Sequence, residues 1–312
     1  MRTAPIGVLV MAYGTPRNIA EVEPYYTHIR HGHKPSPELL NNLVARYQAI
    51  GGVSPLNEIT SAQAQGIEDR LNSTDSGAFK VYLGMKHATP FIADAVTQMA
   101  NDGISQAVSL VLAPHYSTMS VKMYQKEASD KAEQLGMPAF VHIDSWHLEP
   151  AFINLLSERV TDALRDFSAD AKVRVLFSAH SLPERILSVG DPYPQQLHET
   201  GDSVAQQIGL TNYSFAWQSA GRTEEKWLGP DILDVLRELH DAGEDNVVVC
   251  PAGFVSDHLE VLYDVDIECQ TRAKELGMHL KRTASLNADP LFLDMLSTVV
   301  RNRAADLPGQ AP

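Results

Sequence analysis

Apolar positions along the chain alternate between two rhythms. Near-continuous apolar runs occur at residues 6–12 (IGVLVMA), 107–113 (AVSLVLA), 173–179 (VRVLFSA) and 246–252 (NVVVCPA). Runs this short, with little polar alternation, predict strands buried on both faces, as in a parallel sheet. Residues 79–84, 140–143 and 213–218 add shorter strand patterns. Helical spacing of apolar residues fills the intervals: 22–30, 38–50, 59–71, 91–100, 121–135, 150–167, 197–208, 232–242, 258–276 and 290 to about 303. The stretch before residue 197 is rich in Pro, Gly and Asp and predicts a loop. The tail 307–312 is expected to fray.

The two halves of this pattern can be laid on one another. LVMAYGTP (9–16) parallels LFSAHSLP (176–183), and 81–117 parallels 215–256 in element order, with helices ending at Gly103 or Gly243. The fold class that follows is α/β: two similar Rossmann-like units, each a parallel sheet flanked by helices, with a cleft between them. The expected division is 1–155 plus 287–312 for the first unit and 156–286 for the second. Tyr13 and His180 fall at equivalent strand ends. Ligands of such sheets sit beyond the carboxyl ends of the strands, so both side chains are expected to look into the cleft.

After the run ending at Ala252 comes a concentration of carboxylates, Asp257, Glu260, Asp264, Asp266 and Glu268. In a continuous helix Glu260, Asp264 and Glu268 would stack at i, i+4 and i+8, where like charges repel by roughly 0.2–0.5 kcal/mol per pair. One reading is a solvated acidic face with Asp257 and Glu260 forming a capping box. The other is a row of carboxylates that carries a hard cation or protons. The two compete geometrically, because a Glu260 folded back onto its own backbone cannot also serve a ligand. His180 at a strand end suits a general base or metal ligand near neutral pH, or a hydrogen-bonded loop residue. His258 is placed to be a second polar group in the cleft, but its preferred reading is an ordinary residue at the start of a helix.

Composition narrows the partners. The 312 residues are 44% hydrophobic and 21% charged, with a formal charge of −14. That balance argues against nucleic acid and against anionic membranes. The longest apolar runs fall far short of a membrane span, so no transmembrane segment is expected. The N-terminus lacks signal-peptide architecture. The two cysteines, Cys250 and Cys269, have no metal-site spacing and read as reduced structural thiols, which argues against an iron–sulfur cluster and for a cytoplasmic setting. Against this acidity, residues 25–34 (YYTHIRHGHK) form an island with His28, Arg30, His31, His33 and Lys34, followed by Arg46 and Tyr47. Such an island suits an anionic ligand edge or a solvated helix end. No nucleophile elbow, dinucleotide fingerprint, P-loop or His-Glu-x-x-His is present.

Eight strings carry a resemblance: VMAYGTP (10–16), YYTHIR (25–30), RYQAIGGVSPL (46–56), LAPHYS (112–117), SAHSLPE (178–184), GDPYPQQLHET (190–200), WLGPD (227–231) and GFVSDHLEVLYDVDIEC (253–269). Together they closely resemble ferrochelatases over essentially the whole chain, and are most similar to the bacterial coproporphyrin III branch. The resemblance implies insertion of Fe²⁺ into coproporphyrin III to give coproheme and two protons, with a protoporphyrin IX enzyme or a non-catalytic porphyrin or heme carrier as alternatives. It implies His180 and Glu260 as catalytic residues. Tyr13, Arg30, Arg46, Tyr47, Ser54 and Tyr124 match porphyrin-binding positions. His180, Glu260, Asp264 and Glu268 match metal-binding ones. Fe²⁺ is then a substrate, no cofactor is permanently bound, and Mg²⁺ suits the acidic ladder. A monomer with an iron donor and a product-accepting enzyme as transient partners is also implied. His31 and His33 stand where close relatives commonly carry arginines.

Overall fold

The computed structural model describes residues 4–221 and 223–309. The sequence-based expectations for 1–3 and 310–312 lie outside the described residues. The chain divides into two compact units. The first comprises 1–113, 120–146 and 287–312, and the second 114–119 and 147–286.

The first unit is built on a four-stranded parallel sheet of β1 (Ile6–Ala12), β2 (Phe79–Met85), β3 (Gln106–Val111) and β4 (Ala139–His142), in the order β2-β1-β3-β4. The central β1 is buried from Val8 to Met11, as its unbroken apolar run requires. Helix Leu56–Leu71 packs on Pro290–Ala304, and Ile92–Asn101 packs on Val121–Leu135.

The second unit repeats the design. Its sheet is β5 (Val173–His180), β6 (Tyr213–Gln218), β7 (Asn246–Cys250) and β8 (His279–Arg282), in the order β6-β5-β7-β8. Helix Pro150–Leu164 packs on Tyr193–Ile208, and Ile232–Asp241 on Gln270–Leu276. Cys250 and Cys269 are free and buried, and burial pushes the Cys250 thiol up to about 12. Among the described residues no helix is long and apolar enough to cross a membrane.

Three expectations are corrected. The sequence-based boundary at residue 155 would cut helix Pro150–Leu164, yet that whole helix belongs to the second unit. The cause is its apolar stripe, Phe152, Leu156 and Val160 at i, i+4 and i+8, all buried in packing against Tyr193–Ile208 and β7. Helix Pro290–Ala304 has the matching stripe, Phe292, Leu296 and Val300, and packs into the first unit on β3 and β4. The helix after β4 therefore completes the second unit, and the helix after β8 completes the first. Burying each such side chain is worth roughly 1.5–3 kcal/mol.

Residues 114–119 also cluster with the second unit. There Asp191 accepts hydrogen bonds from the Ser117 hydroxyl at 3.0 Å, the Thr118 amide at 2.7 Å and the Thr118 hydroxyl at 2.6 Å. Finally, the tail is anchored further than expected. Leu307 is buried, and the Pro308 carbonyl accepts a 2.7 Å hydrogen bond from the Gln106 side chain.

Candidate active site

His180 is the last residue of β5, at the carboxyl end of the sheet's central position. Three contacts fix it. Register pairs it with Gln218 on β6, the Tyr193 hydroxyl donates to its carbonyl at 3.0 Å, and its Nδ1 lies against the Ser181 carbonyl. A carbonyl only accepts, so Nδ1 carries hydrogen and Nε2 is the nitrogen turned toward Glu260. Nε2 lies 3.4 Å from Glu260 Oε1.

Glu260 belongs to a short helical turn, Leu259–Leu262, capped by His258 without a side-chain cap. The capping box is absent. Asp257 instead accepts from the Ser285 hydroxyl at 2.7 Å, leaving the Glu260 carboxylate to face two imidazoles. The second is His258, whose Nε2 is 3.6 Å from Oε2 and whose Nδ1 is 2.8 Å from the Ser256 carbonyl. His258 is thus part of the cluster, contrary to its reading as an ordinary helix residue. Gln218, buried, donates to the Glu260 carbonyl at 3.0 Å and accepts from Ser178 at 2.9 Å, tying the glutamate's backbone to β5 and β6.

The helix is also not continuous. Residues Asp264–Cys269 form a π-helical turn, in which the Glu268 amide reaches back to the Tyr263 carbonyl at 2.9 Å. Such a wide turn is frequent at functional sites. Asp264 is buried and accepts from the Ser219 hydroxyl, while Glu268 is partly buried one wide turn further on. Ser219 holds a positive φ of 62°, an uncommon conformation for a residue with a Cβ. Among the described residues no group of three or more His, Cys, Asp and Glu side chains is arranged to hold a metal ion. Within the cluster the shorter pairing is that of His180 and Glu260, at 3.4 Å against 3.6 Å for His258 and Glu260.

The charge state of that pair follows from two opposed effects. Burial alone would pull the His180 imidazole down. The Glu260 carboxylate outweighs it and holds His180 up at about 9. Burial likewise opposes ionisation of Glu260, but His180 and His258 keep its carboxyl well below the usual range. The side chains remain 31% and 34% exposed, so water screens the pair.

A stability prediction follows by linkage. His180 contributes fully below its ordinary value near 6.5 and loses its contribution as pH rises to about 9. Glu260, being depressed, contributes above the ordinary carboxylate range and loses that contribution as pH falls below it. The difference in melting temperature between the wild type and Glu260→Gln should therefore be widest near pH ~5–6.5 and shrink toward pH ~9. A difference that grows toward pH ~9 would contradict the pairing.

The porphyrin-matching positions all lie in the first unit. Tyr13 follows β1 directly, is 43% exposed, and rests against the His87 ring at 4.6 Å between centroids. His87 Nδ1 is 2.9 Å from that of His28. Arg30 caps helix Val22–Ile29 and its guanidinium lies over the Tyr26 ring at 5.8 Å. Arg46 and Tyr47 occupy the last turn of Pro37–Ala49. Tyr47, Ser54 and Tyr124 are buried. The Tyr47 hydroxyl lies 2.9 Å from that of Thr15, next to the Tyr13 turn. Tyr47 therefore supports that turn from beneath, and Tyr13 and Arg30 are the exposed members of the set. Gln218, Ser219 and Tyr193 joined the cluster without being singled out in the sequence, and His258 joined it against its preferred reading. Their only sequence signal is position, since each sits at a strand end or in a motif adjoining His180 or Glu260.

Comparison with known proteins gives a consistent answer. The family model described as Ferrochelatase matches residues 5–304. The coproporphyrin III ferrochelatase of Halalkalibacterium halodurans is 52% identical over 98% of this chain and 99% of its own. Coproporphyrin III ferrochelatase 2 of Bacillus thuringiensis is 47% identical over 98% and 97%. Among solved structures, SirB from Bacillus subtilis with Fe³⁺ superposes with a TM-score of 0.63 at 11% identity, covering 98% of both chains. At that identity the likeness is one of fold. With a family match over nearly its whole length and relatives near half identity, the chain belongs to the ferrochelatase family.

Proposed function

We propose that this protein inserts Fe²⁺ into coproporphyrin III, releasing two protons and forming coproheme, in the cytoplasm. The observation that carries the chemistry is the 3.4 Å contact between His180 Nε2 and Glu260 Oε1 at a strand end. The substrate assignment rests on the relatives' names and their near full-length identity.

A free-base porphyrin must lose two pyrrole protons while gaining a metal. In the resting pair the imidazolium is Glu260's counter-charge. An incoming Fe²⁺ takes over that role, so the imidazolium proton leaves to water and His180 becomes the neutral base that accepts the two pyrrole protons in turn, passing the first to water before taking the second. Glu260 receives the metal, and the two groups titrate as a unit. Asp264 and Glu268 offer hard oxygen donors along the metal's approach, and Mg²⁺ competes for the same oxygens. In the first unit, Tyr13, Arg30 and Arg46 serve the porphyrin and its propionates, supported by Tyr47, Ser54 and Tyr124. Binding energy at the propionates offsets the strain of bending the ring.

The test is anaerobic addition of Fe²⁺ to protein with coproporphyrin III or protoporphyrin IX, followed by the porphyrin absorption spectrum. Coproporphyrin should metallate with the higher kcat/KM. A preference for protoporphyrin would reassign the substrate, and binding of either without metallation would identify a carrier.

A further inference from the structure

Arg282 is the last residue of β8. Its guanidinium uses every donor it has. Nε and Nη2 grip Asp266 at 2.7 and 2.9 Å. Nη1 donates to the Thr283 carbonyl at 3.0 Å and the Ser285 hydroxyl at 3.1 Å. Nη2 also lies 3.3 Å from Asp257 Oδ1, the oxygen that accepts from Ser285 at 2.7 Å. The Arg282 side chain is only 15% exposed. Five donors in a fixed planar fork match five acceptors, a geometry lysine cannot reproduce.

The two carboxylates it holds bracket the reactive ones. Asp257 precedes Glu260, and Asp266 lies inside the π-helical turn beyond Asp264. We infer that Arg282 is a positioning residue of the metal site: by clamping Asp257 and Asp266 it fixes both ends of the segment that presents Glu260 and Asp264. This rests on the metal-insertion reading above for its catalytic consequence, but its structural part stands independently. The clamp also sorts the acidic stretch. Asp257 and Asp266 share one cation, Arg282, while Glu260 faces His180 and His258, and Asp264 faces the Ser219 hydroxyl.

A rigid anchor is needed here because the segment has little regular helix of its own. Only Leu259–Leu262 is α-helical before the wide turn begins. A shift of about 1 Å in a reacting group can cost about a hundredfold in rate. β8 is paired in register with β7 at Arg282 and Val249, so the clamp refers Glu260 to the same sheet that carries His180.

The test uses the full chain with Arg282→Lys, Arg282→Lys combined with Asp266→Glu, and the wild type in parallel. Amide hydrogen exchange of the substrate-free protein should quicken in residues 257–269 of Arg282→Lys and stay unchanged in β5 and β7. Unchanged exchange in 257–269 overturns the inference whatever the activity. In steady-state insertion of Zn²⁺ into coproporphyrin III, Arg282→Lys should lose about tenfold or more in kcat and raise the KM for Zn²⁺. Porphyrin affinity, read by fluorescence quenching, should hold. The added methylene of Asp266→Glu should restore much of the loss. Equal loss in metal and porphyrin parameters, with no rescue, would mean a general structural role and would overturn the positioning claim. A wild type that does not metallate the porphyrin refutes the functional reading, while the exchange result still decides whether the clamp exists.

Discussion

Replacing His180 by alanine should reduce metal insertion by about 10²–10⁴-fold, the range typical for loss of a positioned general base. Porphyrin binding should change little, because the residues matched to the porphyrin lie in the first unit and His180 lies in the second. The variant should also fold. The His180 side chain is 31% exposed, and its backbone contacts, the register pair with Gln218 and the Tyr193 hydrogen bond to its carbonyl, do not depend on the ring. What disappears is the counter-charge of Glu260, whose carboxyl should move up toward the ordinary range, keeping only His258 at 3.6 Å. Stopped-flow absorption of coproporphyrin III with Fe²⁺ or Zn²⁺ measures the step directly. Near wild-type turnover would remove His180 from the chemistry.

Gly253→Ala should be nearly as damaging without touching a reactive group. A Cβ at Gly253 would stand 2.5 Å from the Ala179 Cβ and 2.9 Å from its Cα. Ala179 is fully buried in β5 and immediately precedes His180. The Gly253 amide already donates to the Ser178 carbonyl at 3.0 Å, so the two backbones are tied at that separation. Neither neighbour is the free end of a flexible chain, so one backbone must give way. Overpacking of this kind typically costs about 1–3 kcal/mol. Gly253 also lies on the connection from β7 to the Glu260 turn. Any relief moves one member of the His180–Glu260 pair against the other, and about 1 Å of misplacement can cost about a hundredfold in rate. Thermal unfolding and insertion kinetics on the same preparation separate the two effects. Wild-type rate with lowered stability would show that relief occurs away from the pair.

Most strands were legible because a strand buried on both faces has nothing polar to hide. β1, β3, β5 and β7 all announced themselves that way. β8, His-Leu-Lys-Arg, did not, because an edge strand of four residues carries the charges that protect such edges. Its last residue turned out to be Arg282. The acidic stretch was legible in composition but not in conformation. A continuous helix was the natural expectation from its spacing, and the wide turn at Asp264–Cys269 has no local sequence signature that propensity would reveal. The competition at Glu260 between a cap and a ligand role was visible in advance, but its outcome depended on Ser285 and Arg282 engaging Asp257 from 28 and 25 residues away. Tyr47 shows the opposite limit. Its match to a porphyrin-binding position says nothing about burial, and its hydroxyl is turned to Thr15.

The crossing of the two sheet-covering helices has a consequence for synthesis. Chains generally acquire their domains in order from the N-terminus as they leave the ribosome. Here the first unit begins with β1 but is not complete until Phe292, Leu296 and Val300 have emerged to cover β3 and β4. The second unit has all its pieces by Leu286. The half carrying His180 and Glu260 can therefore close first. The unit carrying β1 must wait, with one flank of its sheet uncovered, until residues beyond the whole of the second unit have been made.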